Sequence, residues 1–201
     1  MKGRGPAWVV PLLLCIAQCV GARTADGFTV RYFAYGSNLA RSVIEGRRRL
    51  RPLSTAPAVA HDERLAFDIP GFGILEPAFA SLAQAPGDEC HGAVYELSVY
   101  DWARLCASEG VPTGYRVREV GVDLYSGERV QAWTLSAGLL RASPDRLPSP
   151  RYMHLIRSGA EELGLKREWQ DRIAKVPTAP FGTPVAAEQS VSGDSAVSVR
   201  S

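Results

Sequence analysis

Two short stretches hold the residues whose types and spacing could do chemistry. The first is "YFAYGSN", residues 32–38, where a run rich in aromatic residues stops on Tyr35 and turns at once through Gly36, Ser37 and Asn38. A strand end that passes through glycine into a helix start exposes backbone N–H groups with no partner inside the helix. Glycine there lets the main chain approach a ligand with no side chain between them. Such a turn can hold a carboxylate or a developing oxyanion. The second stretch is "SEGVPTGYRV", residues 108–117, in which Glu109 precedes Gly110, Val111 and Pro112. A carboxylate held against apolar walls can take and return a proton near neutral pH. Glu76, in "GILEPAF", has a similar setting and is the second carboxylate candidate. Read singly, residues 36–38 also fit an ordinary strand-to-helix turn, and Glu109 a solvated loop glutamate.

Other chemistries leave no trace. There is no G-x-S-x-G elbow, phosphate loop, dinucleotide fingerprint or zinc spacing. His91 and His154 are isolated and read as structural. The basic run "RRRLR" at 47–51 reads as a solvated face rather than a phosphate site. A net charge of +2 is too small to draw nucleic acid or a membrane surface. The 46% hydrophobic and 22% charged content suits a globular core of ordinary size.

The elements that must position these residues follow from pattern. "FTVRYFAY" (28–35) reads as a strand, with Ser37 or Asn38 capping a helix through "LARSVIEG". "RLAFDI" (64–69) is a strand and "PGFG" (70–73) a turn. "PAFASLAQA" (77–85), the turn "PGDE" (86–89) and "CHGAVYEL" (90–97) read as a hairpin. Ser98 opens a helix with Val99, Trp102, Ala103 and Cys106 at helical spacing and Asp101 in an approximate capping box. "YRVREVGVDLY", "SGE" and "RVQAWTLSA" make a second hairpin. "RYMHLIRSGAEELGL" and "KREWQDRIAKV" are two helices, the first capped by Ser149 with Pro150 at its first position. Antiparallel strands with an inserted helix and terminal helices argue an α+β fold, with five or six strands curled or closed.

The ends differ from this domain. Lys2 and Arg4 precede "AWVVPLLLCIAQCV", and "VGA" at 20–22 offers a cleavage point. Residues 1–22 are expected to be a signal peptide or targeting leader. That places the protein in the secretory pathway or outside the cell, with an organelle or the cytoplasm as alternatives. Cys15 and Cys19 go with the leader. Cys90 and Cys106 remain and read as buried thiols in preference to one disulfide. The domain is expected over 23–176, and 177–201, small, polar and proline-containing, as a disordered tail.

"YFAYGSNL", "EGV..GYRV", "QAPGDECHGAVYEL" and "PSPRYMHLIRSGAEELGL" together resemble the gamma-glutamylcyclotransferase family, and its gamma-glutamyl amino acid branch most closely, from about Tyr32 to Val176. The resemblance implies a small mixed, mostly antiparallel β-barrel of about five to seven strands flanked by helices. It implies a reaction without cofactor or metal, in which the substrate's α-amine attacks its own γ-carbonyl to give 5-oxoproline and a free amino acid. Glu109 is then the general acid/base. Tyr35, Gly36, Ser37 and Asn38, with Tyr32, Phe33 and Ala34 leading in and Tyr152 of P-S-P-x-Y nearby, form the substrate-binding set. The partners implied are the small gamma-glutamyl substrate and at most a second copy of the chain, with no nucleic acid and no membrane after leader removal. Two other readings stay open: a binding module on the same fold without turnover, and a related cyclase acting on gamma-glutamyl amines or glutathione. Asn38 after Y-G-S speaks against the glutathione branch.

Overall fold

The strand expected at 28–35 is the one on which the sheet closes. A computed structural model describes residues 23–24, 27–73, 75–139, 141 and 145–180. The leader expected at 1–22 and residues 181–201 of the expected tail lie outside the described residues.

A short β1 (Arg23–Thr24) pairs with β2 (Gly27–Ala34). Two long strands follow, β3 (Ser54–Phe72) and β4 (Glu76–Ser98), then β5 (Tyr115–Leu124) and β6 (Arg129–Ala137). β2 pairs antiparallel with β4, from Thr29↔Ser98 to Ala34↔Ala93, and parallel with β6 at Tyr32↔Trp133 and Phe33↔Thr134. β4 pairs with β3, β3 briefly with β5, and β5 with β6. The order β2–β4–β3–β5–β6 therefore returns to β2, closing a barrel with one parallel seam and no free edge in that circuit. This is the mixed, mostly antiparallel barrel that the resemblance implied.

Among the described residues three α-helices pack around it: α1 (Val99–Ser108), α2 (Pro150–Glu162) and α3 (Arg167–Ala174). The expected caps form. The Ser98 hydroxyl accepts the Asp101 N–H at 3.1 Å, and the Ser149 hydroxyl accepts the Tyr152 N–H at 3.0 Å, with Pro150 at the first position of α2. α1 buries Trp102 and Leu105 fully, and Trp102 packs on Tyr32 of β2 with ring centroids 5.6 Å apart. α3 is tied to α2 by Arg157, whose guanidinium donates to the carbonyls of Ile173, Ala174 and Val176. Cys90 and Cys106 are buried free thiols, and burial pushes the Cys90 thiol up from its ordinary pKa.

Two expectations are corrected. Residues 77–97 are not a hairpin. They run as one strand, both halves pairing with β3, and the reversal lies between the paired Phe72 and Glu76, with Gly73 at φ 61°. "PGDE" is a bulge: His61 pairs with Glu89 and Glu63 with Gln84, so β4 spends five residues where β3 spends two. Gly87, at φ 80°, and Asp62, at φ 58°, turn the two strands locally, and the Gly87 N–H donates to the Asp62 carboxylate at 2.8 Å. The second correction concerns 38–46, which is not a capped α-helix. A 3-10 turn (Ser37–Leu39) leads to a π-helical turn (Ser42–Arg47), Gly36 stands at the cap position, and no side chain caps either turn.

The 3-10 turn is held in place from behind by α2. Gly159 lies so close that a Cβ there would sit 2.4 Å from the Ala40 nitrogen and 2.5 Å from the Leu39 carbonyl carbon. Backbone cannot yield as a flexible side chain can. Gly159→Ala is therefore expected to lower stability in urea denaturation by about 2 kcal/mol, in the range of overpacked cores. Helix propensity acts in the opposite direction, favouring alanine by about 1 kcal/mol. A stabilised variant would show that α2 does not rest on this turn.

Candidate active site

Glu109 owes its position to how α1 ends. The Gly110 N–H returns to the Ala107 carbonyl at 3.2 Å and the Val111 N–H to the Cys106 carbonyl at 3.1 Å, the paired bonds of a Schellman stop. That stop needs a left-handed residue, and Gly110 supplies it at φ 67°. Glu109 is the last residue before the reversal, and its side chain is 12% exposed.

The carboxylate does not sit against bare apolar walls, as the E-G-V-P context led one to expect. Arg48 Nη2 approaches Glu109 Oε1 at 2.5 Å, and Asn38 Nδ2 donates to the same oxygen at 3.0 Å. Arg48 makes two further bonds, Nε to Asn38 Oδ1 at 2.7 Å and Nη1 to the Ser108 hydroxyl at 2.6 Å. One planar guanidinium thus joins the 36–38 turn to the end of α1, a geometry an ammonium cannot reproduce. It also orients Asn38. With Oδ1 turned to Arg48, the amide nitrogen faces Glu109 and the Tyr32 hydroxyl, the latter at 3.0 Å.

Hydroxyls of buried tyrosines surround this cluster. Tyr35 donates to the Leu135 carbonyl, Tyr115 to the Ala80 carbonyl at 3.0 Å, and Tyr95 to the carbonyls of Asn38 and Leu39. The oxygens of Tyr32 and Tyr152 accept instead, that of Tyr32 from Asn38 Nδ2. The Ala80 N–H donates to the Tyr152 oxygen at 3.1 Å, and Ser37 lies close enough to favour the ionised form. Burial pushes the Tyr152 phenol up to about 12 even though these neighbours pull the other way. Burial raises Tyr32 and Tyr35 as well, and for Tyr32 the Glu109 charge adds to the effect. All three are neutral at physiological pH.

These groups open onto one cavity of about 510 Å³. Of the expected residues, Tyr32, Tyr35, Gly36, Ser37, Asn38, Glu109 and Tyr152 line it. Phe33 and Ala34 do not. Both are fully buried in the core, Phe33 on the opposite face of β2 from Tyr32 as the two-residue period of a strand requires. A Cβ on Gly36 would come 3.4 Å from the Tyr152 oxygen and 3.3 Å from the Ala80 Cβ, so glycine keeps room at the point where turn, strand and helix meet. Glu76 is not beside Glu109. It is buried, accepts from the Ser149 hydroxyl at 2.8 Å and pairs with Arg151.

Sequence reasoning missed Arg48, Ser108 and Tyr115. Arg48 was hidden in a run of like residues. Its neighbour Leu50 is 1% exposed, so the "RRRLR" segment is a partly buried connection and not a uniform solvated face. Ser108 and Tyr115 flank the "EGV" stretch and were within reach of a closer reading.

The chain is similar to known proteins in sequence and in fold. Residues 89–173 match the model of the AIG2-like family. A mouse protein described as gamma-glutamylcyclotransferase is 31% identical over 166 residues, covering 80% of this chain and 85% of the relative. A bovine protein of the same description is 31% identical over 176 residues, covering 85% and 90%. A solved structure described as gamma-glutamyl cyclotransferase superposes with a TM-score of 0.66 at 29% identity, covering 77% of this chain and 92% of that one.

The Arg48–Glu109 pair generates a stability prediction. Arg48→Met removes the cation from a nearly buried carboxylate and is expected to cost about 3 kcal/mol. Once Glu109 is already Gln, the same replacement should cost less. A double-mutant cycle in denaturant should then give a coupling of about 1 kcal/mol or more. Strict additivity would mean that the two groups do not interact in solution.

Proposed function

Because this chain belongs to the gamma-glutamylcyclotransferase family, we propose that it converts a gamma-glutamyl amino acid into 5-oxoproline and the free amino acid, with Glu109 moving the proton in both halves of the reaction. The observation that carries this is the way Glu109 is held. Its Oε1 is fixed by Arg48 and Asn38, while the residue forms part of the wall of a cavity large enough for the whole substrate.

The chemistry is an intramolecular exchange of one amine for another. The α-ammonium gives a proton to Glu109, and the freed amine attacks the γ-carbonyl carbon. A C–N bond forms and closes a five-membered ring, and the carbonyl oxygen takes the negative charge. The bond to the departing nitrogen then breaks as that nitrogen receives the proton from Glu109, and the carboxylate takes the second proton from the ring nitrogen and passes it to the released amine, leaving a lactam N–H and an ammonium. No water is consumed and no electron is transferred, so one acid/base group with fixed geometry suffices. Folding the glutamyl chain so that its own amine meets its carbonyl is the second requirement, and the walls around Tyr32, Tyr35 and Tyr152 serve it. The oxyanion needs a donor that is already aligned. Tyr152 is the candidate, since it lines the cavity as a neutral phenol and its oxygen accepts from the Ala80 N–H. The turn at Gly36 and Ser37 lies beside this phenol.

Glu109→Gln keeps the shape and removes the proton exchange. It is expected to lower kcat by about 10²–10⁴ while the circular dichroism spectrum and the affinity for gamma-glutamyl-alanine change little. The comparison is made by following 5-oxoproline release under single-turnover and steady-state conditions. A variant that keeps more than about a tenth of the parent rate would remove Glu109 from the role, against the 10²-fold minimum expected of general acid–base catalysis.

A further inference from the structure

Resting on that reading, we infer that the tip of the β3–β4 hairpin and the first turns of α2 form the subsite for the departing amino acid: Ile69, Pro70, Phe79 and Leu155 receive an apolar side chain, and Arg151, fixed by Glu76, binds the free carboxylate.

The cavity wall changes character along its length. Where Arg48, Ser108, Glu109 and the 36–38 turn face it, the wall is polar and suits the ammonium and carboxylate of the glutamyl part. Ile69, Pro70 and Phe79 line another part, from the hairpin, and Leu155 joins them from α2. Ile69 and Phe79 are direct cross-strand partners, so their side chains stand on the same face. Phe79 meets the Tyr152 ring edge-on at 5.4 Å, which joins the hairpin to α2. Arg151 lies one helical turn before Leu155, on the same side of α2. These groups are therefore one continuous patch with an arginine at its rim.

Glu76 finds its use here. It is 8% exposed, a position that a carboxylate occupies only with partners. Its partners are the Ser149 hydroxyl and Arg151 Nη2. Ser149 also caps α2, so the carboxylate, the cap and the arginine form one rigid unit. The Arg151 side chain is 59% exposed and lines the cavity. Arg48, by contrast, already bonds to three protein groups. A gamma-glutamyl amino acid brings two carboxylates and one ammonium. Arg47, next to Arg48 at the cavity wall, is placed for the glutamyl carboxylate, and Arg151 for the one on the departing residue.

The test compares kcat/KM for gamma-glutamyl-leucine, gamma-glutamyl-glycine, gamma-glutamyl-alanine and gamma-glutamyl-isoamylamine, the last being the leucine compound without its carboxylate. The parent is expected to prefer leucine over glycine at least tenfold, and Leu155→Asn to cut that preference below threefold. Arg151→Gln should lower kcat/KM at least tenfold more for gamma-glutamyl-leucine than for the amine. Arg47→Gln should weaken both alike. If Arg151→Gln unfolds by leaving Glu76 unpaired, Glu76→Gln combined with Arg151→Gln removes both charges, and the same ratio is read from it. A parent that cyclises gamma-glutamyl-alanine with no preference for leucine, or an Arg151 variant that weakens acid and amine equally, overturns this subsite and leaves the function standing. A parent that cyclises none of the four overturns both.

Discussion

The site depends on one guanidinium. Arg48 reaches Asn38, Ser108 and Glu109 with three different nitrogens, and these partners come from two segments distant in sequence. Without it, the bond from Asn38 to Glu109 would remain between the turn after β2 and the end of α1. The cation fixes one carboxylate oxygen and, by taking Asn38 Oδ1, decides which way that amide points. Everything else serves to bring these three segments within reach. The Schellman stop places Glu109 at the end of α1. α2, lying against the backbone of Leu39 and Ala40 through Gly159, keeps the 3-10 turn in place. The parallel seam between β2 and β6 closes the barrel beneath.

The tyrosines complete the electrostatic picture. Their hydroxyls are buried, and burial raises every one of them that faces the site. They are therefore neutral hydrogen-bonding groups and not acids. Three of the phenols around the site, Tyr35, Tyr95 and Tyr115, spend their protons on backbone carbonyls and stiffen the walls. Tyr32 and Tyr152 accept instead, from Asn38 Nδ2 and from the Ala80 N–H. A low-dielectric pocket with fixed dipoles and one ion pair suits a reaction in which charge moves a short distance and returns.

Much of this was legible in the sequence where signals are local. Ser98 and Ser149 announced their helices because N-caps act within three residues. The 115–137 hairpin was visible because alternation and a Gly-containing turn coincide. Glu109 was found because a carboxylate before Gly-Val-Pro is unusual. The failures have physical causes too. "PGDE" carries the chemistry of a reversal, but a bulge with φ > 0 at Gly87 uses the same residues. Only the pairing with β3, a non-local fact, separates the two. Ser37 and Asn38 looked like caps, yet neither caps the turn, and the Asn38 side chain bonds to Arg48, Glu109 and Tyr32. Phe33 and Ala34 entered the site by adjacency, whereas strand alternation sends Phe33 inward. Arg48 could not be told from Arg47 or Arg49 by type, since only tertiary packing selects one of the three.

The central claim is that the amine of the substrate, and not water, attacks the γ-carbonyl while Glu109 shuttles the proton. Product analysis after complete turnover of gamma-glutamyl-alanine tests it directly. The account predicts 5-oxoproline and alanine in equal amounts with no free glutamate. Glutamate appearing in step with alanine would show hydrolysis through an attacking water and would contradict it.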